Sequence, residues 1–505
     1  MGISEKLGRD QAMTVTQHNP TIDELKRKPN IIVIGGGLSG LSAAISCIDA
    51  GAKVTLIEKR PRFGGATWSF GRNNLHFDNG QHVYLACCTA YQWFLDRIGT
   101  SHLAPLRGKL NLPVISPASS QNSSPKISYL KRQNIFAPFH LAKSIISYSH
   151  ISPADRMKLS SAALALMRLD LDDDLLDNKT FAHFLKSHGQ SDTAISNFWE
   201  IINLATTNVR SDEVSLAVSA KVFKTLLMQK EAGDLGWSLV PLNELHSKPA
   251  IELLKHSGAN IIQRAKVSHI LQTGKTAEDK SRPLPYGNTQ DKYSVSGVRV
   301  DGYDLMADAV IVAADHMDTA EILSEINVID KSSVEQIEYS PIVNIHFVFA
   351  EKVMPFEIAA AVRSSAQFIF DTTASSGLAK DKGQSLTISV SAAHEEVGAA
   401  PKVLIDKYLA ELALLFPKVR EVKLADAVVS REVKATMKAT PGTKRLRPNT
   451  DTGYSNLFLA GAWTNTGWPI TMESAVLSGL KASKSTLQHL GFSKSSEQIG
   501  EGVLN

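Results

Sequence analysis

The run Gly35-Gly36-Gly37-Leu38-Ser39-Gly40 has the spacing G-x-G-x-x-G, and the chemistry it suits is the holding of a pyrophosphate. Gly35 permits a tight turn, Gly37 lets a phosphate approach the backbone, and Gly40 allows a helix to pack closely on a strand. Leu38 and Ser39 open that helix, whose N-terminus presents aimed N–H groups and a positive dipole end. Glu58 stands 18 residues beyond Gly40, where a carboxylate accepts hydrogen bonds from an adenosine ribose. A carboxylate there repels a 2′-phosphate, which disfavours NADP. A second glycine pair closes the run Glu58-Lys59-Arg60-Pro61-Arg62-Phe63-Gly64-Gly65. Gly64 and Gly65 let backbone approach a further ligand segment, with Lys59, Arg60 and Arg62 near phosphate charge; the other reading is a basic surface hairpin. No metal-ligand cluster and no Ser/His/Asp signature accompanies these residues, so hydrolytic chemistry has little support.

The elements that must position them are legible around the glycines. NIIVIG, from Asn30, is a short β-branched run that reads as a buried parallel strand. LSGLSAAISCIDAG is a helix pattern closed by Gly51, and KVTLIE is a second strand. Together they make a βαβ unit of about 30 residues, the size a dinucleotide site requires. Near the other end, NLFLAGAWT reads as a strand into a loop and MESAVLSGLKASKSTLQHL as a helix rich in small residues. Residues 237–273 and 294–316 read as strands of the same nucleotide domain, separated by an exposed polar loop over 274–292. Residues 111–234 read as largely helical, while 341–350, 367–371 and 385–392 read as strands of another sheet. The order implies a discontinuous nucleotide domain (30–110, 235–330 and 425–490) into which a second domain is inserted twice (111–234 and 331–424). Residues 1–29 and 491–505 read as flexible arms.

Composition narrows the classes. The chain has 505 residues, 43% hydrophobic and 21% charged, the proportions of an ordinary globular protein. Its 54 basic and 50 acidic residues leave a net charge of +4, too mild to argue for nucleic acid. No stretch approaches the roughly 18 apolar residues of a spanning helix. Residues 1–29 lack the apolar segment of a signal peptide, Lys6 stands where a myristoylation signal needs Ser or Thr, and Met13 is a candidate start. Three cysteines, Cys47, Cys87 and Cys88, make no disulfide framework, which points to a reducing, cytoplasmic setting.

With the glycine pair after Glu58, the chain resembles the FAD-dependent amine oxidase and phytoene desaturase superfamily. A narrower likeness rests on Asp78-Asn79-Gly80-Gln81-His82-Val83, on Phe198-Trp199-Glu200 with Leu204-Ala205, and on Val240-Pro241-Leu242-Asn243-Glu244-Leu245. It continues in Arg431-Glu432-Val433-Lys434-Ala435-Thr436 with Arg447-Pro448, and in Leu459-Ala460-Gly461-Ala462-Trp463-Thr464-Asn465-Thr466-Gly467. These segments resemble the hydroxysqualene dehydroxylases, the squalene-associated FAD-dependent desaturase group of hopanoid pathways, over about residues 30–487. The resemblance implies an α/β fold: a Rossmann-like FAD-binding domain of the glutathione-reductase type with an interleaved α+β substrate domain. It implies that Gly80 and Gln81 contact FAD, and that Gly461 and Ala462 meet its ribityl–phosphate region. Val267 is implied to touch the adenine through its backbone. Thr471, Met472 and Glu473 are implied to open the last helix against the flavin ring, where a helix N-terminus stabilises negative charge. Three residues depart from the pattern. Ala462 stands where relatives usually carry Asp, Ala66 where they often carry Arg, and Asn465 where Asp is frequent.

The resemblance further implies a long apolar channel leading to the flavin. Residues 135–150 are rich in aromatic and aliphatic side chains and suit either a membrane interface or the protein's own core. The reaction it implies is removal of an allylic hydroxyl from hydroxysqualene, giving squalene, with hydride from N5 of reduced FAD and an electron donor to supply it. The leaving hydroxyl needs a proton. His82 and Glu473 are the candidates to deliver it; the alternatives are that His82 hydrogen-bonds backbone and that Glu473 caps the last helix, while Asp78 fixes its loop. Three other functions stay open: a carotenoid or squalene desaturase, an amine oxidase, and a non-enzymatic prenyl-binding protein of the same fold.

Overall fold

The computed structural model describes residues 28–118, 124–273, 293–326 and 328–492. Most of the expected N-terminal arm, the polar loop 274–292 and nearly all of the expected C-terminal tail lie outside these residues. Strand β1 (Asn30–Ile34), helix α1 (Leu38–Asp49) and strand β2 (Lys53–Glu58) form where the sequence places them. They belong to a five-stranded parallel sheet in the order Leu457–Leu459, Ala309–Val312, β1, β2, Asn260–Gln263. Ile31, Ile32 and Val33 are fully buried because both faces of β1 are covered, which is why its sequence is uniformly apolar rather than alternating.

Helix α1 covers one face together with the C-terminal helix Met472–His489. Small residues let the two helices approach: the Ser483 hydroxyl donates to Ser46 Oγ at 2.8 Å, and Ser42 Oγ donates to the Val476 carbonyl at 3.3 Å. The other face is covered by a three-stranded antiparallel sheet, Val267–Thr273, Ser294–Val300 and Tyr303–Met306.

A seven-stranded sheet builds the second half. Its order is Leu424–Met437, Tyr339–Phe349, Gln384–Ser391, Phe368–Asp371, Ile358–Ala361, Asn111–Ser116, Lys126–Lys131. Strand 339–349 shows how it is used. Val343, Ile345 and Phe347 point into a core shared with helix Pro401–Leu415, whose Leu404, Tyr408, Leu412 and Leu415 recur at helical spacing. The alternate residues Ile342, Asn344 and His346 face the opposite way, toward the interior of the molecule, where Ile342 lines a cavity. Helices between residues 142 and 228 roof that side.

Two expectations are corrected here. The segment 111–234 is largely helical as expected, but not at its start, where Asn111–Ser116 and Lys126–Lys131 are strands. Asn111–Ser116 gains its place by parallel pairing to Ile358–Ala361, with Val114 opposite Ala360, a partner far away in sequence. Leu424–Met437, expected with the nucleotide domain from residue 425, is instead an edge strand of the seven-stranded sheet. It pairs antiparallel along Tyr339–Phe349 from Leu424 opposite Phe349 to Met437 opposite Tyr339.

Candidate functional site

The glycine turn after β1 is held by backbone. Gly35 N–H donates to the Ile57 carbonyl at 2.7 Å, and Gly64 N–H donates to the Gly36 carbonyl at 2.8 Å, so the two glycine loops are tied face to face. A Cβ on Gly65 would lie 2.9 Å from Gly37 Cα, and one on Gly40 would lie 1.8 Å from the Gly35 carbonyl oxygen. Glu58 is buried with both oxygens engaged: Oε2 accepts Gly36 N–H and Oε1 accepts Arg60 N–H, each at 2.7 Å. Helix α1 starts with no side-chain cap and no acidic residue in its first turn, leaving its N–H groups to an anionic ligand.

One cavity of about 1330 Å³ begins at this cradle. Gly35, Gly37, Leu38 and Ser39 stand on its wall, as do Glu58, Lys59, Arg60, Gly64 and Gly65. Gly40 lies behind the wall, packed on Gly35. Lys59 Nζ is paired with Asp318 at 2.6 Å, which anchors it across the cleft. Arg62 turns away from the cavity to donate to the Gly65 carbonyl at 2.8 Å and to stack on Trp68. Val267 is buried and on the wall, at the start of its strand.

Farther along, the cavity is bounded by Gly80, Gln81 and His82 on one side and by Gly461, Ala462, Thr471 and Met472 on another. Asn79 sets the first group. Its carbonyl accepts Asn344 Nδ2 at 2.8 Å and Ser430 Oγ at 3.1 Å, and its Nδ2 donates to Glu432 Oε1 at 2.9 Å. Asp78 fixes the same loop: its Oδ1 accepts Ser69 Oγ at 2.6 Å and Leu242 N–H at 3.1 Å, and burial pushes its carboxyl up to about 6. Three segments of the sequence likeness (78–83, 240–245 and 431–436) therefore converge on one loop. Burial holds the His82 imidazole down to about 4, so near pH 7 it is neutral and is not an imidazolium acid.

The second group is fixed by Arg447, whose role no local pattern defines. The guanidinium donates to the carbonyls of Ala462 (3.1 Å), Trp463 (3.2 Å), Thr464 (2.6 Å) and Trp468 (3.0 Å). Burial lowers it to about 10. Its one signal in the sequence is its place in Arg447-Pro448. The Ala462 carbonyl also accepts Ser474 Oγ at 3.0 Å, so this loop keeps its course although position 462 carries no carboxylate. Gly461 N–H donates to Ser478 Oγ at 2.8 Å, and Thr471 caps the C-terminal helix.

Glu473 requires a correction. It is not on the cavity wall beside Thr471 and Met472. Its carboxylate accepts the N–H groups of Ala90 (3.0 Å) and Tyr91 (2.7 Å), at the start of helix α2 (Thr89–Arg97). It caps a helix other than its own, and burial raises it to about 7. A carboxylate committed to two backbone donors and turned from the cavity does not deliver a proton there.

Beyond these loops the wall becomes apolar, with Leu112, Leu130, Ile202, Phe223, Leu227 and Phe370 among its residues. It ends at Phe139, Ile146, Met157 and Leu164, which are both cavity-lining and exposed.

The family described as flavin-containing amine oxidoreductase matches residues 38–487. The chain belongs to that family. The hydroxysqualene dehydroxylase of Zymomonas mobilis is 25% identical over 461 residues, covering 90% of this chain and 99% of that protein. A probable zeta-carotene desaturase of Synechococcus elongatus is 23% identical over 495 residues, covering 91% of this chain and 98% of that protein. Among solved structures, a cyclohexylamine oxidase from Brevibacterium oxydans superposes with a TM-score of 0.65 at 15% identity, covering 92% of this chain and all of that one. This flavin-containing amine oxidoreductase is an FAD-dependent oxidoreductase of the α/β class. The glycine cradle, the doubly held Glu58 and the uncapped α1 N-terminus fit the adenosine diphosphate half of FAD. Gly461, Ala462 and Trp463 and the Thr471 helix start line the same cavity.

Proposed function

We propose that this chain removes the allylic hydroxyl of hydroxysqualene to give squalene. The observation that carries the reading is the shape of the cavity: one continuous space joins the dinucleotide cradle to a rim of exposed apolar side chains through an apolar channel. Such a space suits a long hydrocarbon rather than a small polar amine. The likeness to a hydroxysqualene dehydroxylase over nine-tenths of the chain supports the alcohol as substrate.

FAD, when bound, supplies hydride chemistry at its flavin ring. The protein's share is to bind and orient the polyisoprenoid, exclude water and assist departure of the hydroxyl. An apolar wall stabilises no nucleophile that could trap an allylic cation. His82, neutral and on the wall, offers a hydrogen bond toward the leaving oxygen. Each turnover consumes two electrons and two protons and releases water, so an electron donor for FAD is required.

The rim suits peripheral contact with a membrane surface. Phe136, Ile146 and Met157 are each more than 70% exposed, and no described helix is long and apolar enough to cross a bilayer.

The direct test is anaerobic incubation of holoenzyme with hydroxysqualene and reduced FAD, followed by product analysis. Squalene is the expected product. Unchanged hydroxysqualene together with dehydrogenation of squalene or a carotene under oxidising conditions would replace this reading by that of a desaturase, which the likeness to a zeta-carotene desaturase makes the competing assignment.

A further inference from the structure

The cavity meets solvent not only at the apolar rim but also at its cradle end. Lys59, Arg60, Lys266, Asp318 and Glu321 line it and are yet accessible, whereas Glu58 and Val267 beside them are 7% and 4% exposed. Two ion pairs stand at this opening. Lys59 Nζ meets Asp318 Oδ2 at 2.6 Å, and Lys266 Nζ meets Glu321 Oε1 at 2.9 Å. The two carboxylates are three residues apart on one short helix, His316–Ile322, and so share a face. The two lysines rise from a common bank, because Lys59 follows Glu58 and Ala265 N–H donates to the Glu58 carbonyl at 3.1 Å.

Sheet order fixes what the pairs cross. Strand β1 lies between Ala309–Val312 and β2. The helix His316–Ile322 follows Ala309–Val312, and Lys59 follows β2. A link from one to the other passes over the carboxyl end of β1, where the glycine turn starts. Ligands of open parallel sheets lie in that crevice.

The two banks differ in freedom. The helix is pinned, since Ala320 and Ile322 are buried and its capping residue Asp315 accepts the Tyr339 hydroxyl at 2.6 Å. The lysines reach across on flexible four-carbon stems, with side chains 43% and 61% exposed. Exposed pairs of this kind open readily and weaken in salt, so they slow passage without sealing the crevice. Asp318 and Glu321 repel the phosphates that the cradle suits. Their place on the wall is explained by the lysines they anchor.

We propose that Lys59–Asp318 and Lys266–Glu321 form a clasp over the adenosine end of the crevice, at the passage by which FAD enters and leaves. The clasp sets the rate of cofactor exchange and not its equilibrium, because a barrier common to both directions slows loading and release by the same factor. It rests on FAD as the cofactor and is independent of the substrate read into the channel.

The test dilutes FAD-loaded protein and follows the flavin that passes an ultrafilter. The rate of its appearance gives release, its final level gives Kd, and their ratio gives loading. Asp318→Asn combined with Glu321→Gln keeps the side-chain shapes and removes both pairs. Release and loading are each expected to rise about tenfold, with Kd within about twofold of wild type. Raising KCl from about 0.05 to about 0.5 M should speed wild-type release several-fold and leave the double variant nearly flat. Lys266→Glu alone should speed release, and Lys266→Glu combined with Glu321→Lys, which rebuilds the pair with its charges exchanged, should slow it again. Faster release with unchanged loading overturns the clasp, because the pairs would then hold bound FAD rather than bar its path. Slower release overturns it as well, since a Lys59 freed from Asp318 would have turned to the phosphates. Rates indifferent to salt and to substitution overturn it by showing that FAD passes elsewhere. The salt series needs only the wild type, so it decides the matter should the variants fail to fold.

Discussion

The dinucleotide cradle and the substrate channel open into one cavity, yet they are built by opposite means. The cradle is made of backbone: Gly35, Gly36 and Gly64 N–H groups and the start of α1, all within about 30 residues of chain. The channel is made of side chains drawn from helices over 142–228, strands of the seven-stranded sheet and the loop at 132–141. A site built from backbone fails when a side chain intrudes, because the backbone has nowhere to go. A site built from many apolar side chains loses one contact at a time, since its walls are redundant and only roughly matched to the ligand.

The sharpest way to break that contrast is at Gly40. The 1.8 Å approach of an added Cβ to the Gly35 carbonyl cannot be relieved by rotating a side chain. Gly40→Val is expected to lose more than nine-tenths of its FAD, measured as flavin released on denaturation per mole of protein. A Gly40→Val protein with full flavin content would show that the cradle yields like the channel, and the distinction would fail.

The same contrast explains what can be read from the sequence. The βαβ unit, Glu58 and the Gly64-Gly65 pair are local, and glycine spacing reports the backbone geometry directly. Strand Asn111–Ser116 owes its state to a partner near residue 360, so its own pattern misleads. Glu473 shows a subtler limit. Its place in the first turn of the last helix is legible, but no local pattern shows that its carboxylate serves the N–H groups of Ala90 and Tyr91. Arg447 likewise acts on carbonyls between 462 and 468 that only the folded chain brings around it.

Glu473 supplies the next test, because it joins the helix behind the cradle to α2 without touching the cavity. Its folded value near 7 lies above the 4.5 of a free glutamate. The folded protein therefore holds the proton more tightly, and stability must fall as pH rises through the window between those values. A tenfold difference in proton affinity corresponds to roughly 1.4 kcal/mol, so the whole window is worth about 3 kcal/mol. Glu473→Gln should flatten this part of the stability–pH curve, followed by thermal or denaturant unfolding between pH 5 and 8. Turnover of hydroxysqualene near pH 7 should stay within twofold of wild type. A loss of kcat with an unchanged stability curve would return Glu473 to the reaction and contradict its placement behind the wall.

The smallest expected effect belongs to the rim. Phe136 is 73% exposed and stacks edge-on against Phe139 at 5.4 Å between ring centres, so it borders the mouth without lining it. Burying one such ring in a lipid interface is worth about 1.5–3 kcal/mol at most, and partial insertion reduces that. Phe136→Asp should weaken binding to phosphatidylcholine–phosphatidylglycerol vesicles about tenfold in a sedimentation assay. FAD content and kcat with detergent-dispersed hydroxysqualene should not change. Vesicle binding equal to wild type would remove the membrane role of the rim. Loss of flavin from this variant would be the more consequential result: a side chain at the far end of the channel would then support the cradle, and the two regions would share one stability rather than fail in separate ways.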